Sequence, residues 1–348
     1  MKKIISAILL LTLLVFSFAS CKKEDPITND PEDPIINEEQ DPGENKQEET
    51  LKKLRVGYLA GPTGLGMAKL VSDNGGINGN SEKYSFKNYA NNVAQAQADL
   101  TAGNIDLVCV PTNNIAAYYK STDQNVTVLS LNALGSLYLV TKNGIEINSI
   151  NDLEGKTIYT CQQGTPKTVI DTILKKAGIN ATVTHITPDG TEMDKPEKVG
   201  PQVIAGKIDI AVFPEPQVSN AITKNTSYKV ALDLGDVWED LFDSELTMGC
   251  IVAKKSFVAE NKAAINAFLA EYKASIEFMT KSENLDTAAS YAIDAQIIPL
   301  DKAVVKNAIT NLGDAVAYVD GEEMKTLLKK FYTDISIPSP ADEFYYEK

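Results

Sequence analysis

Apolar residues follow the same arrangement twice along this chain. The first copy begins with a short apolar run at residues 54–60, which predicts a strand. Gly61-Pro62-Thr63-Gly64 interrupts the run, and apolar residues then recur at helical spacing over residues 65–71. The pattern predicts a strand, a glycine-containing loop and a helix whose first N–H groups are free to point out of the loop.

The second copy lies at residues 157–178. Residues 157–161 predict a strand and residues 162–166 a loop, after which apolar residues mark one helical face. We expect Thr165 to cap this helix, Pro166 to occupy its first position and Gly178 to end it, because these residue types are preferred there.

A further pair of segments keeps the same spacing. Residues 103–111 and 206–214 share Gly, Ile, Asp and Pro at equivalent positions, and each segment follows a predicted amphipathic helix. Internal repetition of this kind predicts two similar α/β lobes.

The order of the predicted elements assigns residues 51–140 and 250–348 to lobe one and residues 141–249 to lobe two. Apolar segments at 138–142 and 246–252 are predicted to cross between the lobes as a two-stranded hinge. Helical patterns at 256–281, 285–295, 300–312 and 321–333 are expected to pack on lobe one. The predicted fold class is therefore α/β.

The first 21 residues indicate an export signal. Two lysines precede an apolar run at residues 4–18 that is too short for a comfortable membrane span. Phe18-Ala19-Ser20-Cys21 resembles the bacterial lipobox, and the resemblance implies cleavage before Cys21 and attachment of lipid to its sulfur. The alternative is an ordinary secretory signal in which Cys21 is incidental.

Residues 22–50 carry eleven Asp or Glu against three Lys. A segment this polar cannot bury enough apolar surface to fold, so we predict a disordered acidic tether. Its eight excess negative charges are more than half of the net charge of −14, which leaves the rest of the chain mildly acidic. Nucleic acid is therefore not an expected partner.

Residues that carry metal or redox chemistry are sparse. Cys109, Cys161 and Cys250 lie far apart in apolar contexts, and His185 is the only histidine. Because no Cys/His cluster is present, we expect no metal, no cofactor and no catalytic residue. Arg55 is the only arginine and lies at the start of its strand, away from the predicted loop.

The ordered set of segments resembles the type 2 periplasmic-binding proteins, and among them the branch of nitrate, taurine, aliphatic-sulfonate and thiamine-precursor binders. The resemblance covers nearly all of residues 54–335 and rests on residues 61–66, 103–111, 150–156, 163–165 and 206–216. It implies a lipid-anchored, monomeric solute-binding component of an ABC importer on the extracytoplasmic face of the cell membrane. The implied partners are a permease and a small anionic or heterocyclic molecule.

Open α/β sheets bind ligands beyond the carboxyl ends of their strands, and two lobes place two such edges across a cleft. This rule selects eleven candidate ligand-binding residues: Pro62, Thr63, Gly64, Thr112, Asn113, Leu134, Gly135, Gln163, Gly164, Thr165 and Glu215. Each is also open to interpretation as an ordinary turn or capping residue, and Glu215 as a charge at a helix N-terminus.

Two other functional classes stay open. An enzyme of the same fold, such as a menaquinone-pathway dehydratase, uses few catalytic residues, although the predicted anchor argues against it. An anchored ligand sensor or adhesin would share both the anchor and the cleft. A permease gene next to the gene for this chain would distinguish an importer component from a sensor.

Replacing Cys21 by Ser is expected to move the protein from the membrane fraction to the soluble fraction. The serine hydroxyl would not carry the lipid, and stable attachment requires more than one acyl chain. Cell fractionation followed by immunoblotting measures the change, with the wild-type chain as the control. A Cys21→Ser variant that stays in the membrane fraction would contradict the lipid anchor.

Overall fold

The computed structural model describes residues 51–79 and 81–347. The predicted signal segment, Cys21 and the acidic tether lie outside the described residues. The strands of the described part form two five-stranded sheets. Their bounds are β1 Leu54–Tyr58, β2 Tyr84–Asn88, β3 Leu107–Pro111, β4 Thr127–Leu134, β5 Leu137–Lys142, β6 Thr157–Tyr159, β7 Thr182–Thr184, β8 Ile210–Pro214, β9 Tyr228–Asp233 and β10 Thr247–Ala253.

The two sheets have the same topology. The first has the order β2-β1-β3-β10-β4, in which β1 pairs parallel with β2 and β3 while β10 runs antiparallel to β3 and β4. The second has the order β7-β6-β8-β5-β9, with parallel pairs around β6 and antiparallel pairs around β5. This arrangement confirms the prediction of two similar α/β lobes.

The links between the lobes differ from those predicted. β5 pairs with β8 and β9, and β10 pairs with β3 and β4, so both are central strands and not connectors. The chain changes sheet at Gly135–Ser136 and again over residues 234–246. The boundaries predicted at 140/141 and 249/250 therefore fall inside strands, because a buried central strand and a crossing segment have the same apolar pattern.

Helices cover both sheets. Those of the described part are α1 Pro62–Leu65, α2 Ala68–Asp73, α3 Val93–Ala102, α4 Ile115–Ser121, α5 Thr165–Ala177, α6 Val199–Ile204, α7 Gln217–Lys224, α8 Leu234–Phe242, α9 Lys255–Glu260, α10 Lys262–Thr280, α11 Leu285–Asp294, α12 Lys302–Leu312 and α13 Gly321–Asp334. None of these helices is both long enough and apolar enough to span a bilayer.

Glycine occupies the helix N-cap in the two equivalent loops after β1 and β6. Gly61 caps α1 with φ 81°, and Gly164 caps α5 with φ 108°. A Cβ is disfavoured at such positive φ values, so glycine suits both positions. Thr165 is therefore the first residue of α5 and not its cap, and Pro166 is the second, which corrects the prediction.

α8 forms part of the second link between the lobes and was not predicted from the sequence. Asp233 begins this helix by accepting the Gly235 N–H at 2.8 Å. Trp238 on its apolar face is fully buried. Its ring stacks on Phe242 at a centroid distance of 4.2 Å and lies 5.8 Å from the ring of Phe331 in α13. The link is thereby fixed to the C-terminal helix.

The C-terminal helices pack mainly on lobe one, as predicted. Phe268 and Ile276 of α10 belong to the same buried cluster as Leu70 of α2 and Val56 of β1. The helix predicted over residues 256–281 is interrupted at Asn261, where the backbone leaves the helical region and separates α9 from α10. The lobe-one core therefore depends on chain segments far apart in sequence.

Gly235 is predicted to be required where the two links approach each other. A Cβ at this position would lie 3.1 Å from the Gly135 Cα and 3.1 Å from Asp233 Oδ1. We expect Gly235→Ala to lower the free energy of unfolding by about 1–3 kcal/mol, because the neighbouring backbone must move.

Gly200→Ala is the matched control. A Cβ on Gly200 meets no atom closer than 3.6 Å, and alanine is favoured over glycine inside a helix by up to about 1 kcal/mol. Denaturant unfolding of both variants measures the two free energies. Equal stabilities would contradict the close approach of the links.

Candidate functional site

A cavity of about 930 Å³ lies between the two lobes, and we call it the interlobe cleft. Its walls include the segments that follow the carboxyl ends of four strands: Gly61–Thr63 after β1, Asn113–Asn114 after β3, Gly164–Pro166 after β6 and Glu215–Gln217 after β8. These are equivalent edges of the two sheets, where open α/β sheets bind ligands.

Six of the eleven candidate residues line the cleft: Pro62, Thr63, Asn113, Gly164, Thr165 and Glu215. They lie in the loops that follow β1 and β3 of lobe one and β6 and β8 of lobe two. The structure therefore brings together residues that lie as far apart in sequence as 62 and 215. Their role in binding a ligand stays a prediction.

The other five candidates lie outside the lining of the cleft: Gly64, Thr112, Leu134, Gly135 and Gln163. A Cβ on Gly64 would fall 1.9 Å from the Leu59 carbonyl oxygen, so packing of α1 on its own strand requires this glycine. Thr112 is buried and donates to the Thr247 carbonyl at 2.7 Å. Gly135, with φ 57°, forms the link to Ser136, and it is Ser136 that reaches the cleft.

Two of the predicted residues bond to each other across the cleft. Thr165 Oγ1 lies 3.2 Å from Asn113 Oδ1 and donates a hydrogen bond to it. Thr165 begins α5 in lobe two, whereas Asn113 follows β3 in lobe one. The two lobes therefore meet directly through these two side chains.

Glu215 is held in a second contact between the lobes. Its carboxylate accepts the Ser219 N–H at 3.0 Å, the Ser219 hydroxyl at 2.8 Å and the Asn311 amide at 2.9 Å. Asn311 belongs to α12, and its carbonyl accepts the Tyr138 hydroxyl of β5 at 2.9 Å. Burial raises the pKa of Glu215, although the three donors oppose that shift.

This geometry shows Glu215 as a charge at a helix N-terminus, while its role in binding a ligand stays a prediction. The Ser219 N–H belongs to the first turn of α7, so the carboxylate caps that helix from the preceding loop. Glu215 also belongs to the lining of the cleft, although it is only 1% exposed.

Other residues that line the cleft were not selected from the sequence. They include residues of the segment 88–95 at the end of β2 and of the segment 296–300 after α11, together with Glu197, Gln217 and Met248. Residues 88–95 could have been selected from the sequence, because they follow a predicted strand and so lie at the edge of the sheet. Residues 296–300 could not, because only the packing of the C-terminal helices brings them to the cleft.

Reactive side chains are absent from this site as far as the described residues show. No group of His, Cys, Asp or Glu in the described part could hold a metal ion. Cys109 is fully buried, and desolvation raises the pKa of its thiol to about 12. Arg55 pairs with Asp106 at 2.6 Å and so joins β1 to the residue that precedes β3, away from the cleft.

The two lobes of like topology and the ligand-sized cleft between them define a type 2 periplasmic-binding protein fold. A family model described as "NMT1/THI5 like" matches residues 86–284. The chain belongs to this NMT1/THI5-like family, and the resemblance inferred from the sequence is confirmed. No curated protein sequence matches the chain.

Solved structures of the same fold are similar along most of the chain. An ABC transporter from Parabacteroides distasonis has 18% identity and a TM-score of 0.65, over 85% of this chain and 99% of that one. The periplasmic aliphatic sulphonate-binding protein SsuA from Escherichia coli has 17% identity and a TM-score of 0.64, over 85% and 92%. The nitrate-binding protein NrtA from Synechocystis PCC 6803 has 13% identity and a TM-score of 0.60, over 84% of each chain.

Asn311→Ala is expected to weaken the contact between α12 and lobe two. The variant would remove one donor from the buried Glu215 carboxylate, and we expect a loss of about 1 kcal/mol in the free energy of unfolding, since Asn311 itself is largely exposed. Asn307→Ala, at an exposed position of the same helix, serves as the control with an expected change within about 0.5 kcal/mol. Denaturant unfolding compares the two variants, and similar losses would argue against the role of Asn311.

Proposed function

We propose that this protein is the solute-binding component of an ABC importer and captures a small molecule in the interlobe cleft. The observation that carries the proposal is the convergence of four equivalent strand ends, two from each lobe, on one cavity. A volume of about 930 Å³ lies at the upper end of the range of roughly 300–1,000 Å³ typical of small-molecule sites.

The similar structures support the importer part of the proposal. They include an ABC transporter, an aliphatic sulphonate-binding protein and a nitrate-binding protein. By extension we propose a permease as the partner of this chain, a monomeric state and a place on the extracytoplasmic face of the membrane. Attachment there through lipid on Cys21 is part of the same proposal and rests on the sequence pattern alone.

Binding is favoured over catalysis by the chemistry of the cleft. Its lining is made of amide, hydroxyl, proline and aliphatic groups, with Glu197 and Glu215 as its acidic members. Glu215 is occupied by three donors from the protein. We therefore propose a binding protein and not a dehydratase. No observation favours a sensor over an importer component.

Identification of a bound solute tests the proposal. The full chain is purified in detergent under native conditions and then denatured, and the released small molecules are identified by mass spectrometry. A stoichiometric solute that rebinds to the ligand-free protein in a calorimetric titration supports the function. Turnover of that solute into a product would instead favour an enzyme.

Thr63→Ala and Thr165→Ala are each expected to lower the affinity for that solute by roughly three- to tenfold. Each removes a hydroxyl from the wall of the cleft, and a neutral hydrogen bond contributes about 0.5–1.5 kcal/mol. Thr172→Ala is the control, since Thr172 lies two turns further along α5 and outside the cleft.

Titration calorimetry measures the three affinities. Wild-type affinity in both cleft variants would place the solute elsewhere. Thr165 does not cap α5, so its substitution is not expected to lower stability through loss of a helix cap. Melting curves recorded alongside the titrations would show any such loss.

A further inference from the structure

We propose that residues 88–95 form a solute-binding wall of the interlobe cleft, and that Asp99, which lies outside the lining of the cleft, positions this wall. We call residues 88–95 the β2–α3 segment, since they include the end of β2, the turn after it and the first residues of α3. The inference rests on the proposed function and deepens it, because it assigns a binding role to residues that were not selected from the sequence.

The β2–α3 segment supplies more residues to the lining of the cleft than any other continuous stretch of the described chain. Its members in the lining are Asn88, Tyr89, Ala90, Asn91, Asn92, Val93 and Gln95. Asn91, Asn92 and Gln95 are exposed, and the Asn91 side chain makes no hydrogen bond to the described residues. A free amide both donates and accepts, so Asn91 offers two kinds of hydrogen bond to a bound molecule.

Hydrogen bonds tie the turn of this segment to the rest of the cleft. Ala90 has φ 49°, in the left-handed region that a residue with a Cβ rarely adopts. Its N–H donates to Asn88 Oδ1 at 2.7 Å, and its carbonyl accepts the Ala60 N–H at 2.7 Å. Asn88 Nδ2 in turn donates to the Gln296 carbonyl at 2.9 Å. Ala60 and Gln296 also line the cleft, so the conformation of the turn depends on contacts with two other parts of the lining.

Asp99 gathers four side chains around one carboxylate. Its Oδ2 accepts the Tyr89 hydroxyl and the Lys87 ammonium, each at 2.6 Å. Its Oδ1 accepts the Gln95 amide at 3.0 Å and the Asn104 amide at 3.2 Å. The Lys87 ammonium and the other donors hold the pKa of the Asp99 carboxyl well below its usual range. Asp99 is therefore ionised at neutral pH and accepts all four bonds as a carboxylate.

This carboxylate acts on both ends of the β2–α3 segment. Two of its donors, Tyr89 and Gln95, line the cleft themselves, and they lie near the beginning and the end of the segment. Asp99 does not belong to the lining, so its effect on a bound molecule passes through these partners. Removal of the shared acceptor would leave several donors unsatisfied at once, and we expect the segment to lose its fixed conformation.

Asp106 offers a matched comparison in the same lobe. It is 2% exposed, against 6% for Asp99, and it accepts the Arg55 backbone N–H at 2.8 Å, Nε at 3.1 Å and Nη2 at 2.6 Å. Neither Arg55 nor Asp106 lines the cleft. The two aspartates are therefore alike in burial and in multiple bonding, and they differ in whether their partners reach the cleft.

Hydrogen–deuterium exchange of the ligand-free full chain tests the positioning role. Asp99→Asn and Asp106→Asn are both expected to lower the melting temperature, but only Asp99→Asn is expected to speed exchange of the amides of residues 88–95, by roughly fivefold. Tyr89→Phe keeps the ring, removes one of the four donors and is expected to speed the same exchange by about twofold. The test therefore does not depend on the folding of Asp99→Asn. Wild-type exchange of residues 88–95 in these variants would overturn the role of Asp99.

Titration calorimetry tests the binding role, with the solute that mass spectrometry identifies from the natively purified chain as the probe. Asn91→Ala and Asp99→Asn are each expected to weaken its binding by roughly three- to tenfold. Asp106→Asn and Asn307→Ala, which lie outside the cleft, are the controls and are expected to keep the affinity within about twofold, as distant independent sites do.

The outcomes separate this inference from the proposed function. Wild-type affinity in Asn91→Ala and Asp99→Asn, with a wild-type chain that binds the solute, would overturn the inference and leave the proposed function intact. Equal losses of affinity in Asp99→Asn and Asp106→Asn would show a general effect of stability and would also overturn the positioning role. Absence of any bound solute in the wild-type chain would overturn the proposed function, and the inference with it.

Discussion

The architecture depends on an exchange of strands between the two lobes. β10 follows lobe two in sequence but lies between β3 and β4 of lobe one, and β5 follows lobe one but lies between β8 and β9. Both strands are almost entirely buried, and their backbone N–H and C=O groups must be paired there. Neither sheet is complete without a strand delivered across the links, so the two lobes are held side by side with their carboxyl edges facing one cleft.

The contacts across this cleft are of two kinds. Near the links the lobes meet through apolar packing, with Trp238 of α8 against Phe331 of α13. At the cleft itself they meet through polar groups, Thr165 with Asn113 and Glu215 with Asn311. Apolar burial is hard to reverse, whereas single hydrogen bonds contribute only about 0.5–1.5 kcal/mol each. This distribution suits a molecule whose lobes stay joined at the links and separate at the cleft.

The fold and the chemistry of its site are separable in this protein. The similar structures include an aliphatic sulphonate-binding protein and a nitrate-binding protein, yet the described lining of this cleft contains two glutamates and seven prolines and no basic side chain. A fold places loops at the strand ends, and the side chains on those loops set the sign of the charge that is accepted there. The shared architecture therefore supports the class of function, while the ligand follows from the residues of this chain.

The sequence by itself determined the repeated strand–loop–helix units, the two lobes and the loops at the ends of β1, β3, β6 and β8, because these depend on local periodicity and on glycine and proline. Only the tertiary structure decided which sheet holds β5 and β10, since an apolar run does not specify its partners. It also decided that Gly64 packs against Leu59, that Glu215 caps α7, and that residues 296–300 reach the cleft. Each of these depends on contacts between segments, and the sequence alone does not show which segments come close together in the folded chain.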